Sequence, residues 1–514
     1  MKKLLFLPIL FFFACKSIKN ATKVLDSNTY RYSINLNQVK KDTLNVRLEV
    51  PLIKQNMLTF VVPKIVPGIY GAMNFGQYVS SFQAIDDKGQ VLSTTKLDEN
   101  TWQIKQAEHL KYITYKVADT WDDFNFIQDF YRSAGSSYVE NEFFILNYNT
   151  FVGYFEGFEK MPYEVNFTKP NGFYGASYLT PTRINDTLER VNTLNYNDLV
   201  DAPILYAKPD TAWLKIGKTD ILVAVHTKNK EKYATKLAEK IKPMLESQRL
   251  YLGGTLPVEK YAFLVYFEPT KNDGDFMGDG LEHSQSTLCL LSSFSIDSLD
   301  NFLIDIASHE FFHILTPLNL HSQEIESYNF RNPTFSKHLW LYEGMTEYET
   351  LHCPMKQKTS DMTSFLSKIS EKMERAKEFD ANLSLTEMST KAMERQDQYY
   401  NFYLKGTLLN LCLDIELRER SKGKMGTQEL MQLLVKRYGR NKPFKDDELF
   451  DTITALTFPE IRQFFKDYVE GTKPLPLKET FTKVGFETNP KLTKIRLTKN
   501  PTEEQLLLRK WWLE

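Results

Sequence analysis

Between Tyr30 and Pro203 apolar and polar residues alternate with a period of two. The runs Tyr32-Ser33-Ile34-Asn35-Leu36 and Leu44-Asn45-Val46-Arg47-Leu48-Glu49-Val50 place every second side chain on one face, the signature of half-buried strands. Asp86-Asp87-Lys88-Gly89, between Phe82-Gln83-Ala84-Ile85 and Val91-Leu92, reads as a hairpin turn. Short strands at this spacing predict a β-sandwich-like domain over residues 30–203. From Asp119 to Tyr154 the chain is rich in aromatics, among them Trp121, Phe124, Phe126, Phe130 and Tyr131; these read mostly as packing between domains, with some rings bordering a cleft.

The pattern changes after residue 203. Ile221 to Val225 reads as a strand, Lys230 to Tyr251 as a helix and Tyr261 to Phe267 as a second strand; a glycine-rich loop from Asn272 to Gly280 then leads into Leu281-Glu282-His283 and the strand-like Ser286 to Leu291. An edge strand here has free backbone groups with which an extended peptide can pair. From Thr359 the period is helical, with amphipathic stretches at Asp361 to Phe379, Tyr403 to Arg420, Thr427 to Tyr438 and Pro459 to Val469. The expected class is therefore multidomain α+β: a β domain at 30–203, an α/β domain at 204–358, a helical domain at 359–486 and a tail at 487–514. In the tail, Leu506-Leu507-Leu508 and Trp511-Trp512 read as a short docked helix, with a membrane contact as the lesser reading.

Residues 1–15 read as an address. Lys2 and Lys3 precede an apolar run, Leu4 to Phe13, too short to span a bilayer, and Ala14 precedes Cys15. This is the form of a bacterial lipoprotein signal, which predicts cleavage before Cys15, a lipid anchor on that cysteine, a polar tether over 16–29 and a place in the cell envelope; an ordinary secretory signal cut elsewhere is the other reading. Composition is ordinary for a large folded protein, 42% hydrophobic and 25% charged over 514 residues. The net charge of −1 offers no basic excess for phosphates and argues against a nucleic-acid partner. Cys289, Cys353 and Cys412 are too few and too scattered for a disulfide framework and read as small buried hydrophobes.

The sharpest chemical signal is His309-Glu310-Phe311-Phe312-His313. Histidines four apart on a helix share a face, so both imidazoles can reach one metal while the adjacent Glu310 points at metal-bound water. Catalytic zinc takes three protein ligands and keeps a fourth position open, so a third donor is required. Leu339-Trp340-Leu341-Tyr342-Glu343-Gly344 offers Glu343, on a helical pattern starting near Ser336 and stopping at Pro354. Glu347, four residues on, can accept the far ring proton of a ligand histidine, His309 being the expected one. Pro317 is expected to end the histidine helix after Thr316, and His321, His338 and His352 read as surface or supporting histidines rather than a fourth ligand.

The block from Ile306 to Tyr348 resembles the glycyl aminopeptidase family of zinc metallopeptidases, within the wider group whose third ligand is glutamate. Pro67-Gly68-Ile69-Tyr70, Val79-Ser80-Ser81-Phe82, Leu97 to Trp102, Gly280-Leu281-Glu282-His283 and Tyr403-Leu404-Lys405-Gly406 resemble further family signatures, from about Tyr30 to Phe486; Thr316 stands where the family usually has asparagine. The resemblance implies a thermolysin-like catalytic domain, one zinc ion and a peptide substrate. It implies that Gly280, Leu281 and Glu282 form the substrate edge, with Glu282 holding a free α-ammonium, and that Tyr403 supports the oxyanion, with Tyr400 in reserve. Members commonly continue into a PDZ module; 28 residues follow Phe486, too few for one, so its absence is expected. Two alternatives to an aminopeptidase stay open: an endopeptidase on the same scaffold, and a catalytically silent, lipid-anchored peptide-binding protein.

Overall fold

The computed structural model describes residues 28–122, 131–269, 277–293, 300–440 and 442–514. The expected leader with Cys15, most of the tether, the rings of Phe124, Phe126 and Phe130, and the start of the glycine-rich loop lie outside the described residues. No described helix is long and apolar enough to cross a membrane.

The alternating amino-terminal runs form a seven-stranded sheet in the order Thr182–Arg183, Leu188–Thr193, Tyr163–Thr168, Tyr30–Asn35, Thr43–Glu49, Leu110–Ala118, Val79–Asp86. Its inward side chains share one core with a four-stranded sheet of Tyr154–Phe155, Met57–Val61, Thr101–Lys105 and Thr94–Asp98. Phe60 and Tyr115 meet across the layers with ring centres 5.9 Å apart, and the buried Tyr32 and Tyr115 hydroxyls donate to the carbonyls of Gly153 and Phe151. The Asp86 turn forms as read: its carboxylate accepts from the Lys88 and Gln90 amides, and Gly89 takes a φ of 82°.

A third sheet joins this domain to the next, in the order Tyr174–Ala176, Ile204–Ala207, Phe143–Leu146, Ser137–Val139. Ile204–Ala207 lies beyond the expected boundary at 203 yet pairs with Phe143–Leu146, a partner some sixty positions earlier that periodicity cannot reveal. The central five-stranded sheet runs Thr211–Ile216, Thr219–Thr227, Lys260–Pro269, Ser286–Ser293, Met277–His283. Both its faces are covered, so its strands read as unbroken apolar runs. Leu222, Ala224, Ala262, Leu264, Leu288 and Leu290 pack on the third sheet, while Val223, Val225, Phe263, Val265 and Leu291 pack on helices. Trp121 and Phe143 meet Tyr266 at this junction, ring centres 5.2 and 5.3 Å apart, as expected of interdomain aromatics. The expected helix from Lys230 starts later, at Ala234, where Asp210 accepts from the amides of Tyr233 and Ala234.

The carboxy-terminal region is helical, with Met362–Arg375, Thr407–Ser421, Thr427–Arg437 and Ile461–Tyr468 on the expected stretches. The tail forms a short hairpin, Phe486–Thr488 with Ile495–Leu497, and then the helix Glu503–Leu513. Trp512 anchors that helix: it is 0% exposed, its indole donates to the Tyr348 hydroxyl at 2.8 Å, and its carbonyl accepts from His352 Nε2 at 2.7 Å. Replacing a buried indole with a methyl should cost about 3–5 kcal/mol. Trp512→Ala is therefore expected to lower the unfolding midpoint measured by calorimetry; an unchanged midpoint would place the tail outside the cooperative core.

Candidate metal centre

The centre is built by four segments. The helix Asp300–Phe312 packs against the odd-numbered face of the central sheet through Phe311, which stacks on Phe263 and meets Tyr261 edge-on. Regular helix stops at Phe312 rather than at Thr316. The amides of Ile314 and Leu315 reach back only three residues, to Phe311 and Phe312, tightening the chain into turns. His313 sits in the first of these turns, and its Nδ1 donates to the Thr316 carbonyl at 2.9 Å. The spacing of four survives, and His309 and His313 face each other with Nε2 atoms 3.1 Å apart.

Glu343 does not lie within one continuous helix. It joins Leu339–Tyr342 to Gly344–Lys356, and the second of these carries Pro354 inside it instead of stopping there. Proline near a helix end forfeits a single hydrogen bond, and the amide of Gln357 still bonds to the Cys353 carbonyl. Gly344 is needed where it stands: a Cβ there would lie 2.7 Å from Cα of Gly406, and one on Gly406 would lie 2.9 Å from Cα of Gly344. The two backbones cross in contact, which sets Glu343 against the turn Phe402–Gly406 that carries Tyr403.

Glu343 Oε2 lies 3.5 Å from His309 Nε2 and 3.7 Å from His313 Nε2, is buried, and has no hydrogen-bond partner. A tetrahedral zinc ion with ligands at about 2.0–2.2 Å holds its donor atoms roughly 3.3 Å from one another. Both Nδ1 atoms are engaged, His309 with Glu347 Oε2 at 2.9 Å and His313 with Thr316, so by these partners both Nε2 atoms present lone pairs. Two lone pairs and an unpartnered carboxylate oxygen converging in a buried place fit a cation. Among the described residues a second grouping of possible donors, Glu282, Glu310 and His313, shares His313 and belongs to the same centre.

The remaining candidates lie around this triangle. Glu310 stands over Gly280 of the edge strand, where a Cβ would meet its Oε1 at 2.7 Å; its Oε2 is buried without a partner. Burial, opposed by His309, pushes its carboxyl up to about 7. Glu282 lies near the end of the strand Met277–His283, not at its start, and its carboxylate stands over Gly68, whose added Cβ would lie 2.8 Å from either oxygen. Burial and the charges of Glu343 and Glu310 push the Glu282 carboxyl well up. Burial acts the same way on Glu347, yet the Lys372 ammonium and the His309 ring hold that carboxyl well below the usual range. The Tyr403 ring lies 5.4 Å from that of His309, and its hydroxyl meets that of Tyr399 at 3.1 Å. Tyr400, the expected reserve, is 44% exposed and stacks on the outer side of Tyr403, so Tyr399 is the phenol that reaches inward.

Residues 31–208 match the model of the peptidase M61 N-terminal domain, and residues 302–409 match that of the M61 glycyl aminopeptidase. The chain belongs to the M61 peptidase family. It is accordingly a metallopeptidase, and zinc is its cofactor. No curated protein matches the sequence. Solved structures share the fold. An aminopeptidase N family protein from Idiomarina loihiensis is 21% identical with a TM-score of 0.77, over 90% of this chain and 79% of that one. An M1 zinc metallopeptidase from Deinococcus radiodurans is 14% identical with a TM-score of 0.53, over 88% of this chain and 95% of that one. Yeast LTA4 hydrolase is 11% identical with a TM-score of 0.52, over 87% of this chain and 68% of that one.

In this M61 peptidase His321, His338 and His352 are buried rather than superficial, and each is committed elsewhere: to Glu326, to the Asp446 carbonyl, and to the Trp512 carbonyl. Sequence reasoning missed Lys372, whose ammonium donates to Glu347 Oε1 at 2.6 Å, and the Thr316 carbonyl. The first had a legible sign, since Lys372 falls at i+7 from Phe365 and i+3 from Ile369 on the buried stripe of its helix. The second had none, because a carbonyl carries no residue identity. The contact at Gly280 makes a direct prediction: Gly280→Ala should retain zinc, measured by metal analysis, while turnover falls because Glu310 is displaced; unaltered turnover would show that the glycine is not needed for that placement.

Proposed function

We propose that the protein is an aminopeptidase that removes the first residue of peptides carrying a free amino terminus. The observation that supports this reading is the Glu282 carboxylate, on the rim of the sheet beside the metal triangle, with its charge opposed by Glu343 and Glu310. A substrate ammonium placed there relieves that repulsion. His309, His313 and Glu343 would hold the ion, which would supply Lewis acidity toward water and carbonyl oxygen.

The chain's own groups carry the rest. Among the described residues the edge strand Met277–His283 pairs only with Ser286–Ser293, and its other side can align an extended backbone, with Gly280 and Leu281 preceding Glu282. Glu310 takes a proton from the attacking water and returns it to the leaving amine; a carboxyl poised near 7 is suited to both halves of that exchange. The Tyr403 hydroxyl, steadied by Tyr399, donates a hydrogen bond to the substrate oxygen as it gains charge. The leader read in residues 1–15 supports a place in the cell envelope, on a lipid at Cys15.

One observation favours the endopeptidase reading. A cavity of about 770 Å³ runs past Glu282, Gly68 and Tyr70 toward the exposed Leu194, with room for chain beyond an ammonium held at Glu282. A panel of free and acetylated peptides separates the readings. The zinc-loaded protein should cleave the free peptides, lose activity to a chelator and regain it with zinc. Glu282→Ala should depress cleavage of free peptides far more than of acetylated ones; equal loss on both would mean an endopeptidase, and no hydrolysis of any peptide would leave only peptide binding. Glu310→Gln should keep its zinc and lose about 10²–10⁴-fold in kcat; a variant with normal turnover would remove Glu310 from its role.

A further inference from the structure

Lys372 lies on the helix Met362–Arg375, whose buried stripe is Phe365, Leu366, Ile369, Lys372 and Met373. A lysine on such a stripe needs a reason, because an ammonium taken out of water without partners costs several kcal/mol. Here it has two partners, both belonging to the metal centre. Nζ donates to Glu347 Oε1 at 2.6 Å, and the other oxygen of that carboxylate accepts from His309 Nδ1 at 2.9 Å. Nζ also donates to the backbone carbonyl of Tyr403 at 3.1 Å, a carbonyl that takes a second hydrogen bond from Thr407 Oγ1 at 2.7 Å.

We propose that Lys372 is a positioning residue that sets the His309 imidazole and the Tyr403 phenol relative to each other, acting on the first through Glu347 and on the second through its backbone. The proposal concerns the metal centre alone and holds whether the enzyme cuts at the end or the middle of a peptide. With Lys372 absent, Glu347 has no anchor on its far side, so it can follow the His309 ring instead of fixing it. The turn Phe402–Gly406, which departs from regular α geometry, loses a donor at its second residue. Neither change removes a ligand, a base or a substrate contact.

The test uses the full chain with Lys372→Met, Glu347→Gln and the double variant. Zinc affinity is read by competition with a chromogenic chelator, kcat and KM at saturating zinc, and thermal unfolding on metal-free protein. Groups that orient a ligand histidine are typically worth 10–100-fold in metal affinity or activity, so Lys372→Met should weaken zinc binding by about that factor and lower kcat while KM changes little. If Lys372 acts on the metal through Glu347, its replacement adds almost nothing to the zinc loss already caused by Glu347→Gln; a purely structural lysine would give additive losses. Wild-type zinc affinity in Lys372→Met, or full additivity with Glu347→Gln, overturns the proposal. Should Lys372→Met fail to fold, Lys372→Gln, which keeps a neutral donor, carries the same comparison and the same two outcomes decide it.

Discussion

Four carboxylates and two imidazoles meet in one place, with Glu310, Glu343 and both histidines buried, and the arrangement stands only if positive charge is supplied to it. Glu310 and Glu343 each bury an oxygen that no donor reaches. A group left in that condition costs at least about 1–3 kcal/mol, and more when it is charged. Lys372 answers part of the deficit by neutralising Glu347. What remains is a carboxylate oxygen and two ring nitrogens 3.1 to 3.7 Å from one another, the donor set that a zinc ion would complete. An ion held there would tie the histidine helix to the junction at Glu343, which couples metal binding to the stability of the fold around it.

Close approach requires small residues opposite the acids, and three of the four acids of the centre stand beside a glycine. Glu310 rests over Gly280, Glu282 over Gly68, and Glu343 precedes the crossing of Gly344 with Gly406. These glycines come from the amino-terminal domain, the central sheet and the two helical segments. Only Gly68, with φ of 84°, also needs glycine for its backbone; at 280, 344 and 406 the requirement is space alone. The family signatures Pro67-Gly68-Ile69-Tyr70, Gly280-Leu281-Glu282-His283 and Tyr403-Leu404-Lys405-Gly406 are therefore packing statements as much as chemical ones.

What could be read from the sequence was whatever a short stretch of chain encodes by itself. Histidines four apart, a glutamate four before another, strands alternating every second residue and helices with an apolar stripe are all local, and they gave the layers and the residues of the metal triangle. The readings that failed involved partners far along the chain. Ile204–Ala207 belongs with Phe143–Leu146 because of a pairing across the fold. Pro354 is carried within a helix because that helix, nearly all buried, is held on several sides by packing that outweighs one missing hydrogen bond. Tyr399 rather than Tyr400 faces inward because it packs on Tyr70, more than three hundred positions earlier, with ring centres 5.0 Å apart, and meets the Tyr403 hydroxyl.

The same long-range logic explains why the amino-terminal domain belongs to the enzyme rather than being an accessory to it. Its loop before Tyr70 is tied to the catalytic domain by the amides of Lys64 and Ile65 on the Phe330 carbonyl, at 2.9 and 3.3 Å. It is tied to the helical domain by Gln396, which donates to the Tyr70 carbonyl at 3.0 Å and occupies the space a side chain on Gly71 would need. The Tyr70 ring then packs between Phe335 and Tyr399, ring centres 5.6 and 5.0 Å away, and Tyr399 holds the Tyr403 hydroxyl. A sheet domain that contributes none of the three candidate metal donors thereby fixes both the wall beside Glu282 and the phenol beside His309. The centre is a property of three domains in contact, and no single segment of the chain contains it.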